Sequence, residues 1–108
     1  MTDDNPPAFA CSMAPGDQPL RLREFSALFA RSLRASRREP TCLHLTLDAS
    51  SVREDELRDL LRREHECCPF FDFTVTPSGA EVRVQAAVPR GAEPFLDGLE
   101  QLATTARV

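Results

Sequence analysis

Residues 62–73 read RREHECCPFFDF, and within this stretch one kind of periodicity gives way to another. Ahead of it Leu57, Leu60 and Leu61 recur at helical spacing. Beyond it Phe71, Phe73 and Val75 alternate with polar residues, the period of a half-buried strand. Pro69 makes the change abrupt, because it has no N–H to donate and pushes the residue before it into extended geometry. The stretch therefore predicts a helix that turns a tight corner into a strand, with Cys67 and Cys68 on the corner. At about 100° per residue, Glu64 and Cys68 fall on the centre of the helix's apolar face. Cys67 and His65 lie toward its margins, and Glu66 points to solvent. A carboxylate turned toward a core is costly unless it is paired, hydrogen-bonded or bound to something.

Downstream, residues 70–76 and 80–88 read as two strands joined by a turn at Pro77-Ser78-Gly79, a β-hairpin with Val82, Val84, Ala86 and Val88 inward. A last amphipathic helix over 93–104 buries Phe95, Leu96, Leu99 and Leu102. Gly98 within it costs about 1 kcal/mol relative to alanine, which predicts a short or bent helix. Upstream, Ser51-Val52-Arg53-Glu54 matches a capping box opening the helix that leads to the corner. Residues 41–48 alternate, with Leu43, Leu45 and Leu47 on one face and Cys42, His44 and Thr46 on the other. Cys42 reads here as a half-exposed strand cysteine.

Residues 18–37 predict one long amphipathic helix with Leu22, Phe25, Leu28, Phe29 and Leu33 on its apolar side, ended by Glu39-Pro40. Asp17 is its expected N-cap, and Pro19 is tolerated in its first turn. Before it, the apolar island 9–13 (FACSM) contains Cys11 and reads as a short edge strand or an arm laid on the domain; residues 1–8 are expected to be flexible. The sum is a single α+β domain over residues 1–108: a small antiparallel or mixed sheet of three or four strands with helices on one face, a two-layer sandwich.

The chain has 108 residues and a formal net charge of −4, which disfavours nucleic acid as a partner. The acidic start, MTDDNPPAFA, does not resemble a secretory signal, and no apolar run approaches the roughly 18 residues of a membrane span. We expect a cytoplasmic protein that engages no membrane. Four cysteines in such a setting point to metal binding, catalysis or simple burial before disulfides.

Helix-end electrostatics narrow the chemistry. The negative end of a helix dipole, with Glu64 and Glu66 nearby, disfavours a free thiolate at Cys67 or Cys68. Coordination removes the thiol protons outright, so metal capture is favoured over simple thiol catalysis. Thiolates select soft ions: Hg(II) is favoured, with Zn(II), Cu(I) or As(III) as alternatives. Cys11 is the candidate third sulfur, and Glu64 or His65 a harder ligand. Packing alone is the bland alternative for the cysteines, with the arginine-rich face of the first helix as the exposed feature of an interaction module.

The motif E-x-x-C-C-P-F-F formed by Glu64, Cys67, Cys68, Pro69, Phe70 and Phe71, preceded by Cys11 and a helix, resembles a family of small bacterial proteins. Members of that family accompany MerR-type regulators and heavy-metal, notably mercury, resistance functions. The resemblance runs from Cys11 through the last helix and leaves Cys42 and His65 outside its motif. It implies a soft-ion site used in resistance or sensing, with a MerR-type regulator or another metal-handling protein as partner and a homodimer as one way to complete the site. An enzymatic alternative is protonolysis of the organomercurial-lyase kind or thiol redox chemistry, with Glu64 as the catalytic acid.

Overall fold

The computed structural model describes residues 18–106. Three helices and four strands follow in the order α1 (Gln18–Ser32), β1 (Leu33–Glu39), β2 (Cys42–Asp48), α2 (Glu54–Cys67), β3 (Asp72–Ser78), β4 (Glu81–Ala87) and α3 (Glu93–Ala106). The sheet is antiparallel throughout, with strand order β1-β2-β4-β3. One face meets the helices and the other is open, the expected two-layer α+β arrangement.

The core follows the strand alternation. Leu43, Leu45 and Leu47 of β2 and Val82, Val84 and Ala86 of β4 are buried on the helix side. Phe25, Leu28 and Phe29 of α1, Leu57, Leu60 and Leu61 of α2, and Leu96, Leu99 and Ala103 of α3 close over them. Leu22, expected on the apolar face of α1, instead rims a groove shared with Phe71, Phe95 and Leu102 and is half exposed. Gly98 neither shortens nor breaks α3.

The largest departure from the sequence reading is the end of α1. The helix stops at Ser32, whose hydroxyl donates to the carbonyl of Leu28 at 2.6 Å. The seven residues LRASRRE then form an edge strand, where a helix was expected to run on to residue 37. Leucine, alanine, arginine and glutamate favour helix locally. Pairing with β2 over Leu33–Glu39 overrides that preference. Four of its seven residues are charged, which suits an edge that must not recruit another chain. A register shift between Leu33 and Ala35 leaves Arg34 free to reach Asp48.

The capping box also resolves differently. α2 starts after Arg53, which makes no side-chain cap, and Ser51 instead donates to Asp48 at 3.0 Å. Asp48 is the organiser: Arg34, the amide and hydroxyl of Ser50 and the hydroxyl of Ser51 all donate to it. The Arg34 hydrogen bond first, and those from Ser50 and Ser51 after it, hold the Asp48 carboxyl well below the usual carboxylate range. A depressed folded-state pKa contributes stability above the unfolded value, near 3.9, and loses it as pH falls. Asp48→Asn is therefore expected to lower the melting temperature at pH 7. The gap to the wild type should close as pH drops below about 4, measured by thermal melts at several pH values.

The second hairpin turns at Gly79-Ala80, between the paired Ser78 and Glu81. Gly79 has φ +63°, the positive value a two-residue II′ turn requires at its first position. Among the described residues no helix is long and apolar enough to cross a membrane.

Candidate metal centre

The missed strand creates a site. Because β1 and β2 form a hairpin with the two-residue turn Pro40-Thr41, Glu39 lies directly opposite Cys42 and Arg37 opposite His44. Opposed residues share a face of an antiparallel pair, and so do residues two apart on one strand. Glu39, Cys42 and His44 thus converge on the open face, at the turn end of the hairpin. Their ligand atoms all lie within 4.8 Å of one another. Among the described residues this is the one group of three His, Cys, Asp or Glu side chains that comes together so closely, and it could hold a metal ion.

The surroundings are well defined. The Nε2 of His44 lies 2.8 Å from Oε1 of Glu39, while Arg37 donates to the other carboxylate oxygen at 3.1 Å. The hydrogen bond with His44 first, then that from Arg37, holds the Glu39 carboxyl below its ordinary value. Cys42 is buried and flanked across the ladder by the small Ala87 of β4, and His44 by Gln85. On the other face, Arg38 anchors the turn: its Nε donates to the carbonyl of Glu39 at 2.7 Å and its Nη2 to that of Pro40 at 3.3 Å. The same guanidinium reaches Asp97 and Glu100 of α3, each at 2.8 Å. Val88 donates its amide to the Thr41 carbonyl at 2.9 Å. The turn carrying the three ligands is therefore clamped to the core.

The donor set is chemically coherent. A thiolate, a carboxylate and a neutral imidazole carry two negative charges and balance a divalent cation. Bonds of about 2.0–2.3 Å place the ligands of tetrahedral zinc roughly 3.5 Å apart, so closure needs only about 1 Å of side-chain movement. Three protein ligands leave a fourth position for water or an exchanging ligand. Strand alternation alone puts Cys42 and His44 on one face but not Glu39, whose helix-forming neighbours read as the end of a helix. Glu-Pro-Thr-Cys ahead of an alternating strand was the available signal.

The candidates at the helix corner are arranged differently. Cys67 is the last residue of α2 and Cys68 its C-cap, with the Cys68 amide donating to the Glu64 carbonyl at 2.8 Å. Cys68 is fully buried and Cys67 half-buried. Glu64 faces inward as expected, and its partner is Arg21 of α1, at 2.8 Å. His65 has its Nδ1 hydrogen-bonded to the carbonyl of Phe71. Glu66 is exposed and pairs with Arg62. Cys42 carries a free thiol, whereas Cys68 is disulfide-bonded. The expected contribution of Cys11, like the helix cap at Asp17, lies outside the described residues.

The side chains of Arg21 and Glu64 are only 13% and 14% exposed. Removing one charge strands the other in a place that water barely reaches. Arg21→Met or Glu64→Met alone is expected to cost about 1–3 kcal/mol in urea unfolding. The double variant should recover most of that loss, since two apolar side chains replace the pair without leaving a charge unmatched.

Comparison with models of protein families, with curated proteins and with solved structures finds no match to this chain.

Proposed function

We propose that this protein binds a thiophilic metal ion, with Glu39, Cys42 and His44 as its ligands and a divalent ion of the Zn(II) type as the best-suited occupant. The convergence of those three donors at a clamped turn is the observation that carries the reading. One sulfur, one nitrogen and one oxygen make a mixed set of the kind zinc accepts. Hg(II), Cu(I) and As(III) prefer several sulfurs and suit the cysteines at the helix corner better. Arg37 keeps one carboxylate oxygen of Glu39 occupied and leaves the other toward the ion, which positions that ligand. The open fourth position favours an ion that is held and passed on. The support for placing this in heavy-metal handling, beside a MerR-type regulator, is the resemblance of the ECCPFF segment.

The test is native mass spectrometry of the reduced full chain with Zn(II), Cd(II) and Hg(II) in turn. One Zn(II) retained per chain against a chelator of micromolar affinity is the expected result. A spectrum of apoprotein alone would refute the hairpin site.

A further inference from the structure

The sheet has two edges, and only one of them is defended by charge. Four of the seven residues of β1 are charged, whereas β3 (DFTVTPS) carries a single charge, Asp72 at its start. The centre of β3 is uncharged and made of residues that favour strands. Among the described residues no strand lies beyond it. The hydrogen bonding of the sheet fixes which backbone groups of β3 face out. The Ala49 amide donates to the Ala80 carbonyl and the Val88 amide to the Thr41 carbonyl, each at 2.9 Å. These bonds continue the β2–β4 ladder at its two ends, so the bonded pairs between them are Leu43 with Ala86, Leu45 with Val84 and Leu47 with Val82. Glu81, Arg83, Gln85 and Ala87 therefore turn their backbone groups the other way and bond Ser78, Thr76, Thr74 and Asp72 of β3. Phe73, Val75 and Pro77 face outward. A proline there has no N–H to leave unmatched, and what the edge offers is the N–H and C=O of Phe73 and Val75.

We propose that two copies of this chain pair along β3, antiparallel across a two-fold axis at Thr74, and join their sheets into one. The pairing is independent of the hairpin metal site, which lies on β1 and β2. In this register Phe73 lies opposite the partner's Val75, and Val75 opposite the partner's Phe73. Each pair exchanges both of its backbone hydrogen bonds, so every outward group of the two residues is matched. An axis at Val75 would instead set the Phe73 carbonyl against the partner's Pro77, which has no N–H to give. The side chains agree with the Thr74 axis. On the helix side an aromatic meets a β-branched residue, and on the open side threonine meets threonine, both favourable cross-strand pairs. Asp72 falls opposite the partner's Thr76, so the one charge of the strand does not meet its own copy. Between β3 and α2 lies a cavity of about 250 Å³, lined in part by the apolar Leu61, Phe73 and Val75 and rimmed by Arg58, Arg62 and His65. The partner's Phe73 and Val75 continue that apolar surface. Arg58 is already matched by Glu54, and Arg62 by Asp59 and Glu66, so two such rims meet without uncompensated arginine charge.

The test is sedimentation velocity of the full chain with EDTA present, so that no metal ion bridges two copies. The expected result is a non-covalent species of twice the 12.0 kDa chain mass, populated as the concentration rises toward about 1 mM. Thr74 is exposed, and Thr74→Lys sets like charges face to face on the axis, so it should weaken association at least about tenfold. Thr74→Cys should give a disulfide between the two copies of residue 74 on mild oxidation, because directly opposed Cα atoms lie within disulfide reach. Thr76→Cys should not, since the partner's Asp72 faces residue 76 and the two copies of residue 76 lie far apart along the strands. Peptide mapping assigns the link. A single-chain mass at every concentration, association unchanged by Thr74→Lys, or linking at 76 as readily as at 74 would each overturn the proposal. So would Phe73 and Val75 amides that resist hydrogen exchange in a monomer, which would put another segment of the same chain on the edge.

Discussion

Cys42→Ser is expected to weaken Zn(II) binding at least about 100-fold, the largest functional effect of any single substitution in the chain. Changes to groups that only support a metal ligand already cost about 10–100-fold, and Cys42 supplies the one sulfur of the set. A serine hydroxyl does not give up its proton as a thiol does when a metal binds. His44→Ala should follow closely. Glu39→Gln should cost less, near tenfold, because an amide oxygen still reaches the ion while losing its charge. Arg37→Met keeps all three ligands but frees the carboxylate, so it should weaken binding by a smaller factor than any of them. Competition titration against a chromophoric chelator gives all four values. Because thiol and imidazole must both release protons to bind, affinity should fall as pH is lowered. If all the variants bind like the wild type, the ion sits elsewhere.

The largest effect on stability is expected at Leu43. This residue lies between Cys42 and His44 in sequence but points to the opposite face, where it is 0% exposed in the centre of the sheet. Its neighbour across the ladder on β4 is Ala86, also 0% exposed, which is too small to fill a hole. Leu43→Ala should therefore leave a cavity and cost about 2–5 kcal/mol. Against a total of about 5–15 kcal/mol this is a large share, and it corresponds to a melting temperature lower by roughly 10–30 °C. The proposed ligands themselves are untouched, so saturating Zn(II) should raise the melting temperature of the variant as much as that of the wild type. A loss below about 1 kcal/mol would place Leu43 outside the core and undermine the assignment of Cys42 and His44 to the open face.

Where side-chain periodicity reports burial directly, the fold is legible from the sequence. The alternation of Leu43, Leu45 and Leu47 marks the inner face of β2, and Val82, Val84 and Ala86 do the same for β4. The helix-to-strand corner is readable because Pro69 enforces it. β1 is not readable, for a physical reason: an edge strand with a solvent-facing, charged sequence has no apolar period to betray it. LRASRRE carries helix formers, and only the partner strand makes it extended. That one error hid the hairpin, and with it the approach of Glu39 to Cys42 and His44. The inward position of Glu64 was legible from the helical projection. Its partner Arg21, 43 residues away, was not, since nothing local in either segment shows that the two helices meet there. The capping box failed because Ser51 found a nearer acceptor in Asp48.

The proposed metal site rests on the hairpin at Pro40-Thr41, which brings Glu39, Cys42 and His44 within 4.8 Å of one another. Absorption spectroscopy of the Co(II)-loaded chain tests it most directly, with cobalt standing in for zinc. The account predicts intense d–d bands of a tetrahedral ion together with a sulfur-to-cobalt charge-transfer band, the latter absent from Cys42→Ser and unchanged in Cys67→Ser. A pale octahedral spectrum without charge transfer, or a charge-transfer band that follows Cys67 instead of Cys42, would contradict it.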